Sequence, residues 1–327
     1  PGRGLSMPLA HVRGPGHPDA LCDAMAIALV EEYLRRDPDS RTRLCVTGGR
    51  ESLFVDGDVV SQADFDPAPI LRKALAEIDP TLVVEPFLTC ETVQAQLLPL
   101  HASFEPWIVY GYATAETPTG WPPAQHAARA AAQAIETARK THPEGFLLGL
   151  DYELVTDDAV QSVALRMDHA PQVAREQVEG VVRPALQAVL PGWSLRFLSS
   201  GAAAEAGLRK RSGVSGRLSS ARLYSSHIPC HASGIGHAVR HPANLGAWLA
   251  RTEARRLVGT DAGRGVLIAL RWDPFETRPM IVSARNERGD DLAPRLVPEA
   301  FDLAAPQPAF VRPGILQEQF RSVWAGE

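Results

Sequence analysis

Residues 16–23 read Gly-His-Pro-Asp-Ala-Leu-Cys-Asp and run directly into an apolar stretch. His17 and Asp19 therefore fall at a helix N-terminus, where free amides and the helix dipole favour anions. A carboxylate there can hold Mg2+ against phosphate, and an imidazole can hydrogen-bond a leaving oxygen. A plain capped turn, with Asp19 as N-cap behind Pro18, uses the same residues, and on these four alone the capped turn is the favoured reading. A second concentration runs from 227 to 241: His227, Cys230, His231, His237 and His241, four of the ten histidines. Imidazole and thiolate suit zinc. No HExxH or paired CxxC accompanies them, and Pro229, Gly234 and Gly236 predict a loop, so phosphate or substrate contact and plain packing are each favoured over zinc. His237 and His241 stand four apart and would share one face of a helix. The basic residues are three lysines, Lys73, Lys140 and Lys210, against thirty arginines. Arginine binds anions through a planar fork and lysine as a point charge, so the choice affects any phosphate chemistry.

The elements that must position these residues alternate along the whole chain. Apolar spacing predicts a helix over 20–35, stopped at Asp37-Pro38, then two strands within 41–60 around a turn, ending in Asp56-Gly57. A helix follows over 68–78, behind the cap candidate Asp66. Residues 107–114 read as a buried strand and 122–140 as an alanine-rich helix, with Pro122 and Pro123 near its start. A hairpin is expected from 146–155 and 159–167 across Asp157-Asp158, then a helix over 171–190 opening at Pro171. Strands fit 194–199, 217–224, 265–272 and 279–285, and a helix fits 244–258 with Gly259 as its C-terminal glycine. These are three passes of strands with one or two helices each. They predict an α+β protein with helices on one face of largely antiparallel sheets.

Bulk properties narrow the function classes. The 327 residues suffice for two or three domains, and 45% hydrophobic with 22% charged residues fits a globular chain. A net charge of −5 and a pI of about 6.1 give no footprint for nucleic acid or an anionic membrane. No apolar run reaches the roughly 20 residues of a bilayer span. The first residues lack the apolar core of a signal peptide, so a cytoplasmic location is expected. Cys22, Cys45, Cys90 and Cys230 lie too far apart for a disulfide framework or a four-cysteine zinc site.

Four segments, in order, resemble one family. GHPDALCD (16–23) before a helix, DPDSRTRLCV with VDGDV (37–59), GYATAET (111–117) and GVSGR (213–217) with Tyr224 are similar to methionine adenosyltransferases, the S-adenosylmethionine synthetases. The resemblance implies three similar α/β subdomains with pseudo-threefold symmetry, placed at 1–100, 101–201 and a shortened 202–327. It implies a homodimer with active sites between subunits, and transfer of adenosyl from ATP to methionine sulfur using Mg2+ and K+. Carried over by position, His17 lies near the leaving oxygen, Asp19 is a magnesium carboxylate and Arg217 binds phosphate. Asp58 stands where the family has the glutamate that meets the substrate amine, and Glu105 where it has a substrate-binding aspartate.

Other positions depart from the family. Ala20 and Leu218 stand where the family has lysine, Cys45 where it has a potassium-binding glutamate, and Arg211 at or near a magnesium aspartate. K+ is thereby put in doubt. The glycine-rich phosphate stretch is reduced to residues 199–207, and the lysine-bearing loop becomes GHAVRHP (236–242), which leaves His237 and His241 as candidate substrate contacts beside Arg211. Arg209, Arg211, Arg222 and Arg240 are the candidates for restoring the missing charge. Three functions follow: an adenosyltransferase-like enzyme with altered chemistry on ATP, S-adenosylmethionine or a related adenosine or sulfonium compound; a non-catalytic paralogue acting as structural or regulatory partner; or a true synthetase with substituted phosphate ligands.

Overall fold

The computed structural model describes residues 8–142, 151–198, 207–218, 224–225, 227–230 and 233–325. Its strands are β1 (Leu9–Arg13), β2 (Arg41–Gly49), β3 (Ser52–Val60), β4 (Glu85–Thr92), β5 (Trp107–Thr114), β6 (Tyr152–Asp157), β7 (Ser162–Met167), β8 (Ser194–Phe197), β9 (Gly213–Val214), β10 (Gly265–Trp272) and β11 (Met280–Asn286). The α-helices are α1 (Pro18–Arg36), α2 (Pro67–Ala76), α3 (Pro123–Thr141), α4 (Arg175–Val189), α5 (Ala247–Val258) and α6 (Ile315–Ala325).

Three sheets form, ordered β1-β6-β7-β8, β9-β2-β3-β4 and β5-β10-β11. Each contains a hairpin, β6-β7, β2-β3 or β10-β11, with an antiparallel strand from elsewhere in the chain on one edge. The two four-stranded sheets close identically, with a parallel strand on the far edge, β8 or β4. The chain thus repeats edge strand, helix and hairpin three times. Each edge strand joins another pass's hairpin: β1 enters the second sheet in chain order, β5 the third, and β9 the first. This is the α+β, threefold arrangement expected from the sequence.

Packing follows from the apolar faces. The hairpin strands alternate, so that Leu44, Val46, Leu53 and Val55 turn inward from β2 and β3. In α3, Ala124, Ala127, Ala128, Ala131 and Ile135 are buried at helical spacing, and this small-residue stripe lets the helix lie close on β1 and β6. α1 is buried over most of its circumference, between β2, β9, α2 and α6.

Several expected details are corrected. The N-cap of α1 is His17, whose ring accepts from the Asp19 amide, so Asp19 sits inside the first turn. The β2-β3 hairpin turns at Arg50 and Glu51, both with positive φ, and β3 runs on past Asp56-Gly57. The hairpin across Asp157 starts at Tyr152; 146–150 lie outside the described residues. α4 begins at Arg175 rather than Pro171 and carries Pro184 inside it. Arg217 and Leu218 lie in a turn rather than a strand, and 219–223 lie outside the described residues. β1, β4, β9 and α6 were not foreseen.

Candidate active site

β2 supplies the axis of the site. Near its Gly48 end, β9 pairs with it through Thr47 and Val214, and four residues earlier Arg43 makes a bridge to His237. Four strand residues span roughly 13 Å. The residues singled out in the sequence divide between these two ends.

At the first end, the chain passes so close to the start of α1 that a Cβ on Gly213 would lie 2.3 Å from the Pro18 carbonyl carbon. That approach lets the Val214 amide donate to Asp19 Oδ1 at 2.9 Å, while Arg13 Nη1 donates to Asp19 Oδ2 at 2.9 Å. Arg217 Nη1 stands 4.0 Å from Asp19, with its side chain 63% exposed. Because His17 Nδ1 accepts from an amide, the neutral ring carries its proton on Nε2, which faces Glu153 Oε1 at 3.4 Å.

Glu153 opens an ion network that the sequence reading did not anticipate. Arg211 donates to both oxygens of Asp151 at 2.5 Å and to Glu153 at 3.0 Å. Arg166 donates to Asp151 at 3.2 Å, to Glu153 at 3.3 Å and to Asp168 at 2.8 Å. Asp151 is fully buried and also accepts from the Gly207 amide. The His17 contact, aided by Arg211 and Arg166 and opposed by burial, holds the Glu153 carboxyl well below the usual carboxylate range. Arg13, Glu153 and Arg166 are direct partners across β1, β6 and β7, a row visible only once the strands are paired.

At the second end, Arg43 pairs with Asp58 across the hairpin and reaches Glu105 at 3.6 Å. The His237 and His241 rings stack at 4.0 Å, and Trp107 meets both edge-on, at 5.5 and 4.6 Å. Burial, and secondarily Arg43, lowers His237 to about 4; burial and then His237 push His241 well below its ordinary value. Asp58, Glu105, His237 and His241 are thus brought together, around an arginine and a tryptophan that were not singled out. The histidines do not share a helix face: His241 caps the helical turn Pro242–Gly246 by accepting from Ala243. His227 lies apart against Tyr112, Cys230 is exposed, and His231 is outside the described residues.

Arg209 and Arg240 do not face this groove. Arg209 binds Asp79 and Thr81, and Arg240 binds the Leu303 and Ala305 carbonyls; Arg222 lies outside the described residues. Among the described residues no group of three or more His, Cys, Asp or Glu is arranged to hold a metal ion. Asp19 already serves an amide and Arg13, so a protein-built magnesium cage does not fit; a Mg2+ there would need most of its oxygens from a ligand.

Comparison with known proteins agrees with this fold. Residues 10–96 match the family described as S-adenosylmethionine synthetase, N-terminal domain. The S-adenosylmethionine synthase of Aquifex aeolicus is 23% identical, covering 89% of this chain and 84% of that protein. S-adenosylmethionine synthase 1 of Rhodospirillum rubrum is 24% identical over 83% of this chain and 78% of its own length. A solved structure, described as an unusual S-adenosylmethionine synthetase from Campylobacter jejuni, superposes with a TM-score of 0.77 at 16% identity, covering 95% of this chain and 88% of that one. Over most of its length the chain is similar, at low identity, to S-adenosylmethionine synthetases, and it shares the fold of one of them. No described helix is long and apolar enough to cross a membrane.

Proposed function

We propose that this chain binds an adenosine or sulfonium compound along the edge of β2 and catalyses an adenosyl- or sulfonium-related reaction distinct from ordinary S-adenosylmethionine synthesis. The observation that carries the reading is the fate of the cations. Arg13, Arg166 and Arg211 are spent on Asp19, Asp151, Glu153 and Asp168, which leaves Arg217, among the described residues, as the exposed guanidinium beside His17 and Asp19. Departure of triphosphate is mainly an electrostatic task, and each missing preorganised donor costs roughly 10²–10³ in rate. A ligand without triphosphate makes a smaller demand. His17 supports proton donation at one end, and Asp58 and Glu105 support recognition of a cationic ammonium or sulfonium group at the other, where Arg43 must yield to it.

A homodimer belongs to the same reading. Phe54, Phe87, Ile108, Met280 and Val282 are exposed on strands of two sheets, surface that a second copy would cover. Calorimetry with ATP, S-adenosylmethionine and methionine, each with and without Mg2+, tests the proposal. Binding of S-adenosylmethionine or a nucleoside-bearing ligand without dependence on Mg2+ is expected. No binding of any of the three sinks the reading, and formation of S-adenosylmethionine from ATP and methionine replaces it with a true synthetase.

A further inference from the structure

Three donors converge on one oxygen at the His17 end of the groove. Arg211 Nη1 stands 3.0 Å, Arg166 Nη2 3.3 Å and His17 Nε2 3.4 Å from Glu153 Oε1. Two guanidiniums and an imidazole N–H around a single point are surroundings that suit an oxyanion of a ligand. Here the chain's own carboxylate fills that point. Glu153 is held there because β6 lies between β1 and β7, with Arg13 and Arg166 as its direct neighbours. Behind it, Arg211 Nη2 donates to both oxygens of the fully buried Asp151, so this guanidinium has little freedom to turn towards a ligand. The cluster is nonetheless open to the groove, with the Glu153 side chain 34% and that of Arg211 35% exposed. An arriving phosphate would meet both arginines already paired, with a fixed carboxylate beside them, and like charges so placed repel.

We infer that Glu153 is the specificity-determining residue of this end: an internal carboxylate in an oxyanion's place, which turns away phosphate groups and admits a neutral or cationic part of the ligand. Exclusion then comes from a built-in repulsion and not from a missing contact alone. The inference rests on the β2-edge reading above for where the ligand lies, and it names the ligand's class there: an adenosine or sulfonium compound without a phosphate chain.

Inorganic tripolyphosphate is the probe, because it carries the excluded charge and no nucleoside. In magnesium-free calorimetry, Glu153→Gln and Glu153→Ser should each bind it about tenfold or more tighter than the parent chain, the discrimination that a hydrogen bond to a charged group carries. Glu179→Gln, the same change of charge at the Arg183 pair on α4, should bind it as the parent does. Serine vacates the place as well as the charge, and a single cooperative urea transition checks that each variant is folded. With adenosine and ATP as a second pair of ligands, Glu153→Gln should shift the preference towards ATP by a similar factor. Equal tripolyphosphate affinity, or none, in the parent and both Glu153 variants overturns the assignment, as does an equal gain in Glu179→Gln. If the gain appears while adenosine and ATP bind to none of the chains, Glu153 keeps its role and the β2-edge reading alone fails.

Discussion

The His17 ring caps α1 with one nitrogen and faces the Glu153 carboxylate with the other, so structure and chemistry share a side chain. Asparagine separates the two roles, because it caps helices well and lacks a transferable ring proton. His17→Asn is expected to hold stability within about 1 kcal/mol while turnover of any adenosine substrate falls roughly 10²–10³-fold. Urea unfolding and steady-state rates on the same preparation check this; equal rates would remove His17 from the chemistry. The stacked pair carries a pH signature. Burial favours neutral His237 and His241 in the native protein, whereas the unfolded chain takes up protons near pH 6.5. Stability is therefore full above about 6.5 and drains as pH falls towards 4, the folded value of His237. Glu153 adds its own loss only below the ordinary glutamate range. The urea midpoint should fall between pH 7.5 and pH 5, and the double variant His237→Asn with His241→Asn should flatten that fall; an unchanged slope would assign it to other groups. His17 and Asp19 were legible in the sequence because their relation is local. Asp151 and Glu153 were not, because their relation to Arg13, Arg166 and Arg211 exists only after strands distant in sequence pair.

Among the elements, those with strong local signals emerged close to their expected bounds. Strand β5 matches residue for residue, and α2 starts behind Asp66, which accepts from the Ala68 amide. β1 and β9 were harder: at five and two residues they are too short for periodicity to mark, and other passes' hairpins stabilise them. β4 shows no alternation in burial, because both of its faces are largely open. The contact of β5 with α5 was equally hidden, although Gly111 marks it. A Cβ on Gly111 would lie 2.1 Å from the Ala250 carbonyl carbon, and backbone cannot swing away as a side chain can. Gly111→Ala should therefore cost about 3 kcal/mol, the upper part of the usual overpacking range. Because β5 joins the β10-β11 hairpin, the loss should appear as global unfolding in chemical denaturation. A change under about 0.5 kcal/mol would mean that the helix shifts freely on the sheet.

At the scale of the molecule, the threefold repeat sets helices on one side of the sheets and leaves apolar side chains on the other. Phe54 and Phe87 stack at 5.0 Å with both rings about half exposed, and Met280 and Val282 are more than half exposed on another sheet. Single exposed apolar residues are ordinary, but a stacked aromatic pair together with apolar strands on a second sheet is surface that association would bury. Stable interfaces bury about 800 Å² on each partner, and burial at about 25 cal/mol per Å² is offset in large part by lost freedom, so a few apolar anchors decide the affinity. A charge at Phe54 should break such an anchor without touching the fold, because the ring faces outward from β3. The parent chain should sediment as a dimer at micromolar concentration, and Phe54→Asp should shift it towards monomer with an unchanged urea midpoint at low concentration. If the dimeric site is the working unit, ligand binding along β2 should weaken in step with dissociation. A parent chain that remains monomeric at high concentration would refute the dimer, and a Phe54→Asp chain still dimeric would place the interface on another face.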